Sequence, residues 1–177
     1  AYTTGKVTTS TKTAPVDIVL VLDQSGSMAD SFGDTTRQEA MKSAVNSFID
    51  AVGDKYSTEA DHRISVVTFG TGASTLQGWT NVDDNGRKTL QRKITSLSDR
   101  PEGSTNVGAG MKQAEGLMGE GYEYTGSNTE RQKVVIVFTD GVPTTQSDFD
   151  TGVANTAISS AKKLKEGGCT VYSIGIF

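Results

Sequence analysis

The chain has 177 residues, a formal net charge of −4 at pH 7 and one cysteine. This length suffices for one domain with a full hydrophobic core and is too short for two domains of ordinary size. The acidic balance argues against a nucleic-acid-binding surface, which needs clustered Lys and Arg, and no apolar run is long enough to span a membrane. Because Cys169 stands alone, an internal disulfide and a Cys-x-x-Cys site are excluded, and we expect a small buried residue there.

Residues 1–14 are rich in threonine, so we expect an extended lead-in followed by one domain over residues 15–177. Four short apolar runs in that domain are β-branched and nearly continuous, as strands buried on both faces are. They cover residues 16–22, 64–69, 134–139 and 170–176. Residues 74–82 are expected to add a short strand, and residues 120–132 to form a polar loop.

Four segments between the strands carry apolar side chains three and four residues apart, which predicts helices with one buried stripe. The first has its stripe from Met41 to Val52 and begins with a capping box formed by Thr36 and Glu39. The others are predicted over about residues 85–97, 107–119 and 149–166, the last ending at Gly167-Gly168. This alternation predicts an α/β, Rossmann-like, doubly wound fold, with a mostly parallel central sheet and helices on both faces.

Oxygen-bearing side chains follow the first predicted strand. The chain there reads Asp23-Gln24-Ser25-Gly26-Ser27, which places one carboxylate and two hydroxyls at alternate positions where the strand leaves the sheet. Oxygen donors without a thiolate or an imidazole suit a hard cation such as Mg²⁺, Mn²⁺ or Ca²⁺. Asp and Ser are also common loop residues that bond their own backbone, so the pentapeptide taken alone favours an ordinary turn.

Two further loops supply oxygens at the same predicted edge of the sheet. Thr105 precedes the third helix, and Asp140 follows the strand at 134–139. Singly, Thr105 fits a helix-start hydroxyl and Asp140 a turn residue. Ligands of parallel sheets bind beyond the carboxyl ends of the strands, however, and all three loops are expected to meet there. The sequence therefore predicts a metal site formed by Asp23, Ser25, Ser27, Thr105 and Asp140.

These segments resemble the von Willebrand factor A domain and its metal-ion-dependent adhesion site, in which Asp-x-Ser-x-Ser is joined by a distant Thr and a distant Asp. The matching segments are residues 17–28, 103–106 and 135–141, and the strands at 63–69 and 171–176 are similar too, so that the resemblance covers residues 15–177. The family's sheet usually continues into a sixth strand and a last helix. We therefore expect this domain to lack its C-terminal strand and helix and to be truncated at Phe177.

The resemblance implies a binding domain rather than an enzyme. It makes Ser25, Ser27 and Thr105 direct ligands of Mg²⁺ (or of Mn²⁺ or Ca²⁺), with Asp23 and Asp140 often acting through water. Neutral hydroxyls leave much of the cation's charge uncompensated. A protein partner is then expected to complete the metal shell with an acidic side chain.

An enzyme is the first alternative. The only histidine, His62, precedes the second predicted strand and so lies at the end of the sheet opposite the metal loops, where we expect it to be a solvated surface residue. No Gly-x-x-x-x-Gly-Lys phosphate loop is present.

Trp79 and residues 70–82 are expected to cover the sheet edge rather than to form the metal rim. Asp30 and Asp34 are expected to be solvated turn residues.

The second alternative concerns location. The resemblance fits a bacterial cell-surface adhesin similar to the tip proteins of Gram-positive pili, whose ligand belongs to the extracellular matrix or a host surface. It also fits an intracellular assembly module of a metal-dependent complex. The Thr-rich start and the scarcity of cysteine favour the extracellular, cell-wall-attached interpretation.

Overall fold

The computed structural model describes residues 14–124, 126, 131–141, 143–145 and 148–177. The strands are β1 (Val16–Asp23), β2 (Ser31–Phe32), β3 (Thr35–Thr36), β4 (Arg63–Phe69), β5 (Ala73–Asn81), β6 (Gln132–Thr139), β7 (Thr144–Thr145), β8 (Asp148–Phe149) and β9 (Cys169–Gly175). The helices are α1 (Arg37–Gly53), α2 (Asp84–Thr95), α3 (Val107–Met118) and α4 (Thr151–Glu166), with a 3₁₀ turn at Gly26–Ala29. The predicted lead-in over residues 1–14 lies outside the described residues except for Ala14, and the predicted loop over 120–132 lies partly outside them.

Five strands form one sheet in the order β5-β4-β1-β6-β9. Strand β1 pairs in parallel with β4 and β6, and β6 pairs in parallel with β9. Strand β5 is antiparallel to β4, because the connection between them is a tight turn rather than a crossover helix. The predicted α/β, mostly parallel sheet is confirmed, and the short strand expected at 74–82 is this antiparallel edge strand.

Helices cover both faces of the sheet, as the doubly wound prediction requires. In β1, Ile18, Leu20 and Leu22 face α1 and α2, whereas Val19 and Val21 face α3 and α4. Each of these five side chains is buried, which explains why the strand is apolar at consecutive positions rather than at alternate ones. Cys169 is buried in the hydrophobic core between the sheet and α3 and α4, as expected.

The helix starts are set by side-chain caps. Thr36 and Glu39 form the predicted capping box of α1. The fourth helix begins at Thr151 rather than at 149, since the Asp150 carboxylate accepts hydrogen bonds from the backbone of Gly152 and Val153 and fixes the first turn there. The prediction that Phe149 belongs to this helix is therefore wrong, and this residue ends β8.

His62 is buried, and the expectation of a solvated surface residue is wrong. Only 4% of the residue is exposed, and its Nδ1 accepts a hydrogen bond from the backbone N–H of Val16 at 3.1 Å. Its carbonyl oxygen accepts from the N–H of Val82. The side chain thus connects the start of β1 to the segment that leads into β4, at the amino end of the sheet. Burial lowers the pKa of His62 below its ordinary value.

A buried ion cluster closes the same end of the sheet. Asp17 of β1 is fully buried and receives two hydrogen bonds from Arg63, at 2.9 and 3.0 Å, and two from Arg131, at 2.9 and 2.6 Å. Burial by itself raises the pKa of this carboxyl. The hydrogen bonds from Arg63, Arg131 and Tyr122 outweigh that effect and hold the pKa at about 2.

We expect Asp17→Asn to lower the free energy of unfolding by about 3–5 kcal/mol, because it leaves buried guanidinium charge without its partner. Urea unfolding at neutral pH measures this. The matched control is Asp99→Asn, since the Asp99 side chain is 75% exposed in its ion pair with Lys42 and its loss is expected to cost at most about 1 kcal/mol. Equal losses in the two variants would contradict a dominant role for the buried cluster.

The stability contributed by His62 is expected to depend on pH. Because its pKa is lowered in the folded protein, the unfolded chain takes up a proton first as the pH falls through about 6.5, so this contribution is present above that pH and is lost below it. Between about pH 7.5 and about pH 5.5 the wild type should lose more unfolding free energy than His62→Gln, whose amide oxygen can accept from Val16. Parallel curves for the two proteins would refute this assignment.

Candidate metal centre

The carboxyl ends of β1 and β6 meet where the strand order reverses. From β1 the chain continues through α1 to β4 on one side, and later places β6 on the other side. Such a switch point leaves a crevice beyond the strand ends, which is where open α/β sheets bind ligands. The loops that begin at Asp23 and Asp140 border this crevice, together with the loop at 102–106 that leads into α3.

Asp23 is fully buried, and among the described residues only neutral groups donate hydrogen bonds to its carboxylate. Its Oδ1 accepts from the backbone N–H of Ser25 at 2.8 Å, and its Oδ2 accepts from the Thr139 hydroxyl at 2.8 Å. Burial raises the pKa of Asp23. Its hydrogen bonds with Ser25 and Thr139 act in the opposite direction, and the neighbouring Asp140 carboxylate adds to the increase. A cation at this place would relieve both the burial cost and the repulsion between the carboxylates.

The two serines and Asp140 form a continuous chain of oxygens. The hydroxyl oxygens of Ser25 and Ser27 are 3.2 Å apart, and the Ser27 hydroxyl donates to Asp140 Oδ1 at 2.9 Å. Two neighbouring ligands in an octahedral Mg²⁺ shell are separated by about 2.9 Å, since each lies about 2.0–2.1 Å from the ion. The spacing of these side chains therefore suits adjacent positions around one small, hard cation.

Thr105 is 5% exposed and is held by Thr144. The backbone N–H of Thr105 donates to the Thr144 hydroxyl at 3.2 Å, and the Thr144 N–H donates to the Thr105 carbonyl at 3.1 Å. A Cβ placed on Gly141 would lie 3.7 Å from the Thr105 hydroxyl oxygen and 4.0 Å from that of Ser27. The two hydroxyls thus converge over Gly141, and the absence of a side chain keeps the space between them open.

Backbone hydrogen bonds join the loops of the centre to one another. The N–H of Gly26 donates to the Gly103 carbonyl at 3.0 Å, and the N–H of Asn106 donates to the Gly70 carbonyl at 2.8 Å. Gly103 has φ +106°, and a Cβ there would meet the Thr71 hydroxyl at 2.6 Å. This position therefore requires glycine, and the connection between the first and second loops depends on it.

The structure brings all five predicted residues to one edge of the sheet, and it adds two that the sequence reasoning missed. Thr139 donates to Asp23, and Arg37 donates from Nη1 to Asp140 Oδ2 at 3.1 Å. A signal for Arg37 was available, because a basic residue in the first turn of a helix opposes the helix dipole. Thr139 directly precedes Asp140 and carried no such signal.

Trp79 lies away from the candidate centre, and two exposed acidic residues follow its first loop. Trp79 packs against Tyr122 and Arg63 at the amino end of β4, opposite the candidate centre, and so covers the sheet edge as expected. Gly70 and Thr71 instead contact the loop that leads into α3, and for these two residues the expectation is wrong. Asp30 is exposed and lies 3.4 Å from Arg37, and Asp34 is exposed as well. Both acidic residues are solvated, as expected.

Over the described residues, no three or more His, Cys, Asp and Glu side chains come together as they would around a metal ion. The candidate centre instead combines two carboxylates with hydroxyls. Within the described part of the chain, no helix combines the length and the apolar character needed to cross a membrane.

Residues 18–142 match the family model for the von Willebrand factor type A domain. The chain belongs to the von Willebrand factor type A family. The resemblance found in the sequence is thereby confirmed at the level of the family, and type A domains are generally protein-binding modules that are typically not catalysts.

Three solved structures show the breadth of proteins with this fold. A variant of the PilB minor pilin from Streptococcus sanguinis is 18% identical, with a TM-score of 0.72 over 95% of this chain and 52% of its own. BatB from Bacteroides thetaiotaomicron is 20% identical, with a TM-score of 0.64 over 90% of this chain and 66% of its own. Proximal thread matrix protein 1 from the mussel byssus, in a form with a zinc-occupied metal-ion-dependent adhesion motif, is 23% identical, with a TM-score of 0.66 over 92% of this chain and 38% of its own.

At these identities the likeness establishes the fold alone. The type A domain described here spans less than two thirds of the length of each of the three proteins. The fold thus occurs in a pilin, a BatB protein and a byssal matrix protein, and the last of these carries zinc in its adhesion motif.

We expect the chelator-treated domain to bind one Mg²⁺ or Mn²⁺ per chain in a calorimetric titration. Asp23→Ala should abolish the heat, and Ser27→Ala should weaken binding by at least about tenfold, because each removes an oxygen from the centre. Ser43→Ala is the matched control, since Ser43 is exposed on α1. Indistinguishable heats for the wild type and Asp23→Ala would show that the cation, if bound, lies elsewhere.

Proposed function

We propose that this type A domain is a metal-dependent protein-binding domain of a bacterial cell-surface protein. The cation is held by Asp23, Ser25, Ser27, Thr105 and Asp140, and a carboxylate of the partner completes its coordination shell. The observation that carries this proposal is the run of oxygens from Ser25 through Ser27 to Asp140, with spacings of 3.2 and 2.9 Å, at the switch point of the sheet.

The donor set supports Mg²⁺, with Mn²⁺ or Ca²⁺ as alternatives. All five side chains offer hard oxygen atoms, and Mg²⁺ takes six such ligands. With Ser25, Ser27 and Thr105 as direct ligands and Asp23 and Asp140 acting through water, the shell keeps a position for an external oxygen. Three of the five are neutral hydroxyls, so the cation would keep enough charge to attract an anionic group from solvent or from a partner.

The centre favours binding over hydrolysis. Metal-assisted hydrolysis needs a general base beside the bound water. His62 is the only histidine of the chain, and it is buried at the amino end of the sheet with its Nδ1 engaged by Val16. The carboxylates of Asp23 and Asp140 are themselves taken up by hydrogen bonds within the centre.

Two observations favour the cell surface. The fold is similar to that of a streptococcal minor pilin over 95% of this chain. The one cysteine, Cys169, is buried, and a buried thiol is compatible with the oxidising environment outside the cell. The alternative is an intracellular assembly module with the same cation chemistry. An antibody against this domain distinguishes them, since it labels intact cells only if the domain is displayed outside.

We expect partner binding to need both the cation and the Thr105 hydroxyl. Proteins of the extracellular matrix, immobilised and probed with the domain in Mg²⁺ buffer, should lose binding on addition of EDTA and by at least about tenfold with Thr105→Ala. Thr105→Ser keeps the hydroxyl and should retain binding, and amidation of the partner's carboxyl groups should abolish it. Binding that survives both EDTA and Thr105→Ala would rule out the proposed mode.

A further inference from the structure

Arg37 places a positive charge beside the candidate metal centre. Its Nη1 donates to Asp140 Oδ2 at 3.1 Å and lies 3.3 Å from the Ser27 carbonyl oxygen and 3.4 Å from Asp30 Oδ2. Arg37 is also the first residue of α1, where the helix dipole disfavours a cation. Its contacts with the oxygens of the two metal loops therefore outweigh an unfavourable position in the helix.

Asp140 is the principal partner of Arg37. The Asp140 side chain is fully buried and that of Arg37 is 25% exposed, so water and salt screen this pair only weakly. The Asp30 side chain is 64% exposed and 3.4 Å away, and its attraction is largely screened. The other carboxylate oxygen of Asp140 accepts from the Ser27 hydroxyl, so Arg37 contacts the same carboxylate that ends the row of oxygens in the centre.

The formal charge of the centre shows what this arginine changes. Two carboxylates, Asp23 and Asp140, together with one guanidinium give a charge of −1. A divalent cation would bring this charge to +1. Without Arg37 the two carboxylates would formally neutralise the same cation, and the attraction of the occupied centre for a third carboxylate would be weaker.

We propose that Arg37 is a positioning residue that sets the cation affinity of the centre by competing with the divalent ion for Asp140. This competition weakens cation binding and leaves the occupied centre positive, which favours a partner carboxylate over water. The inference rests on the cation site of the proposed function. It adds a residue that lies outside the five oxygen-bearing positions.

The competition has two measurable consequences. Like charges a few ångströms apart repel each other even at an effective dielectric constant of about 20, so removal of the guanidinium should tighten cation binding by roughly tenfold or more. In the metal-free protein, the same change leaves the buried Asp140 without its charged partner beside Asp23. The metal-free protein should then melt at a lower temperature, and Mg²⁺ should raise its melting temperature by more than it does in the wild type.

The experiment uses the full chain after treatment with a chelator. Calorimetry measures the binding of Mg²⁺ alone, and thermal unfolding is followed with and without Mg²⁺. Arg37→Gln removes the charge. Arg37→Lys keeps the charge, and since a single Nη1 makes the contact with Asp140, it should bind Mg²⁺ within about threefold of the wild type. The matched control is Arg87→Gln, because Arg87 is 23% exposed and pairs with Asp50 and Asp54 at the far end of α1.

We expect Arg37→Gln to bind Mg²⁺ about tenfold tighter than the wild type, and Arg87→Gln to bind it equally well. Arg37→Met, which also lacks the charge, replaces the glutamine variant if that variant does not fold, and the same gain is expected. If the wild type binds Mg²⁺ and both uncharged variants bind it equally well or more weakly, the role of Arg37 is overturned and the proposed function stays intact. No Mg²⁺ heat in any of the proteins would overturn both.

Discussion

Strand β1 lies in the middle of the sheet, is covered by helices on both faces and is hydrogen-bonded along both edges. A polar side chain in such a strand has no access to bulk water and must find its partners inside the protein. The strand nevertheless carries a fully buried carboxylate near each end, Asp17 and Asp23. The rest of the structure depends on how these two carboxylates are satisfied, and the two ends do it differently.

At the amino end, Asp17 is neutralised by two arginines and its pKa is held at about 2, so this end is electrostatically complete. At the carboxyl end, the hydrogen bonds that Asp23 receives from the described part of the chain all come from neutral donors, and its pKa is raised. A buried carboxylate whose donors among the described residues are all neutral, next to a second carboxylate and several hydroxyls, leaves negative charge that Arg37 offsets only in part. The amino end stabilises the fold, and the carboxyl end is the centre that we propose binds a cation.

Much of this follows from local patterns. Continuous apolar runs predict the buried strands, and apolar side chains three and four residues apart predict the helices. Because ligands bind beyond the carboxyl ends of parallel strands, the sequence also predicts that Thr105 and Asp140 lie near the loop after Asp23. The residues that escaped prediction depend on tertiary contacts. His62 is buried where its Nδ1 accepts a hydrogen bond from the distant Val16, and Phe149 ends a short strand because Asp150 caps the helix after it. Arg37 contacts Asp140 only because folding places α1 beside this residue, which lies 103 positions later in the chain.

The backbone hydrogen bonds between Gly26 and Gly103, and between Asn106 and Gly70, have a consequence for affinity. A site assembled from separate mobile loops would lose conformational entropy each time that it closed around a ligand. Here the loops are already joined main chain to main chain, so that ordering is completed once, during folding. Association with a ligand then costs little rearrangement of the protein, and a small contact area can still give a long-lived complex.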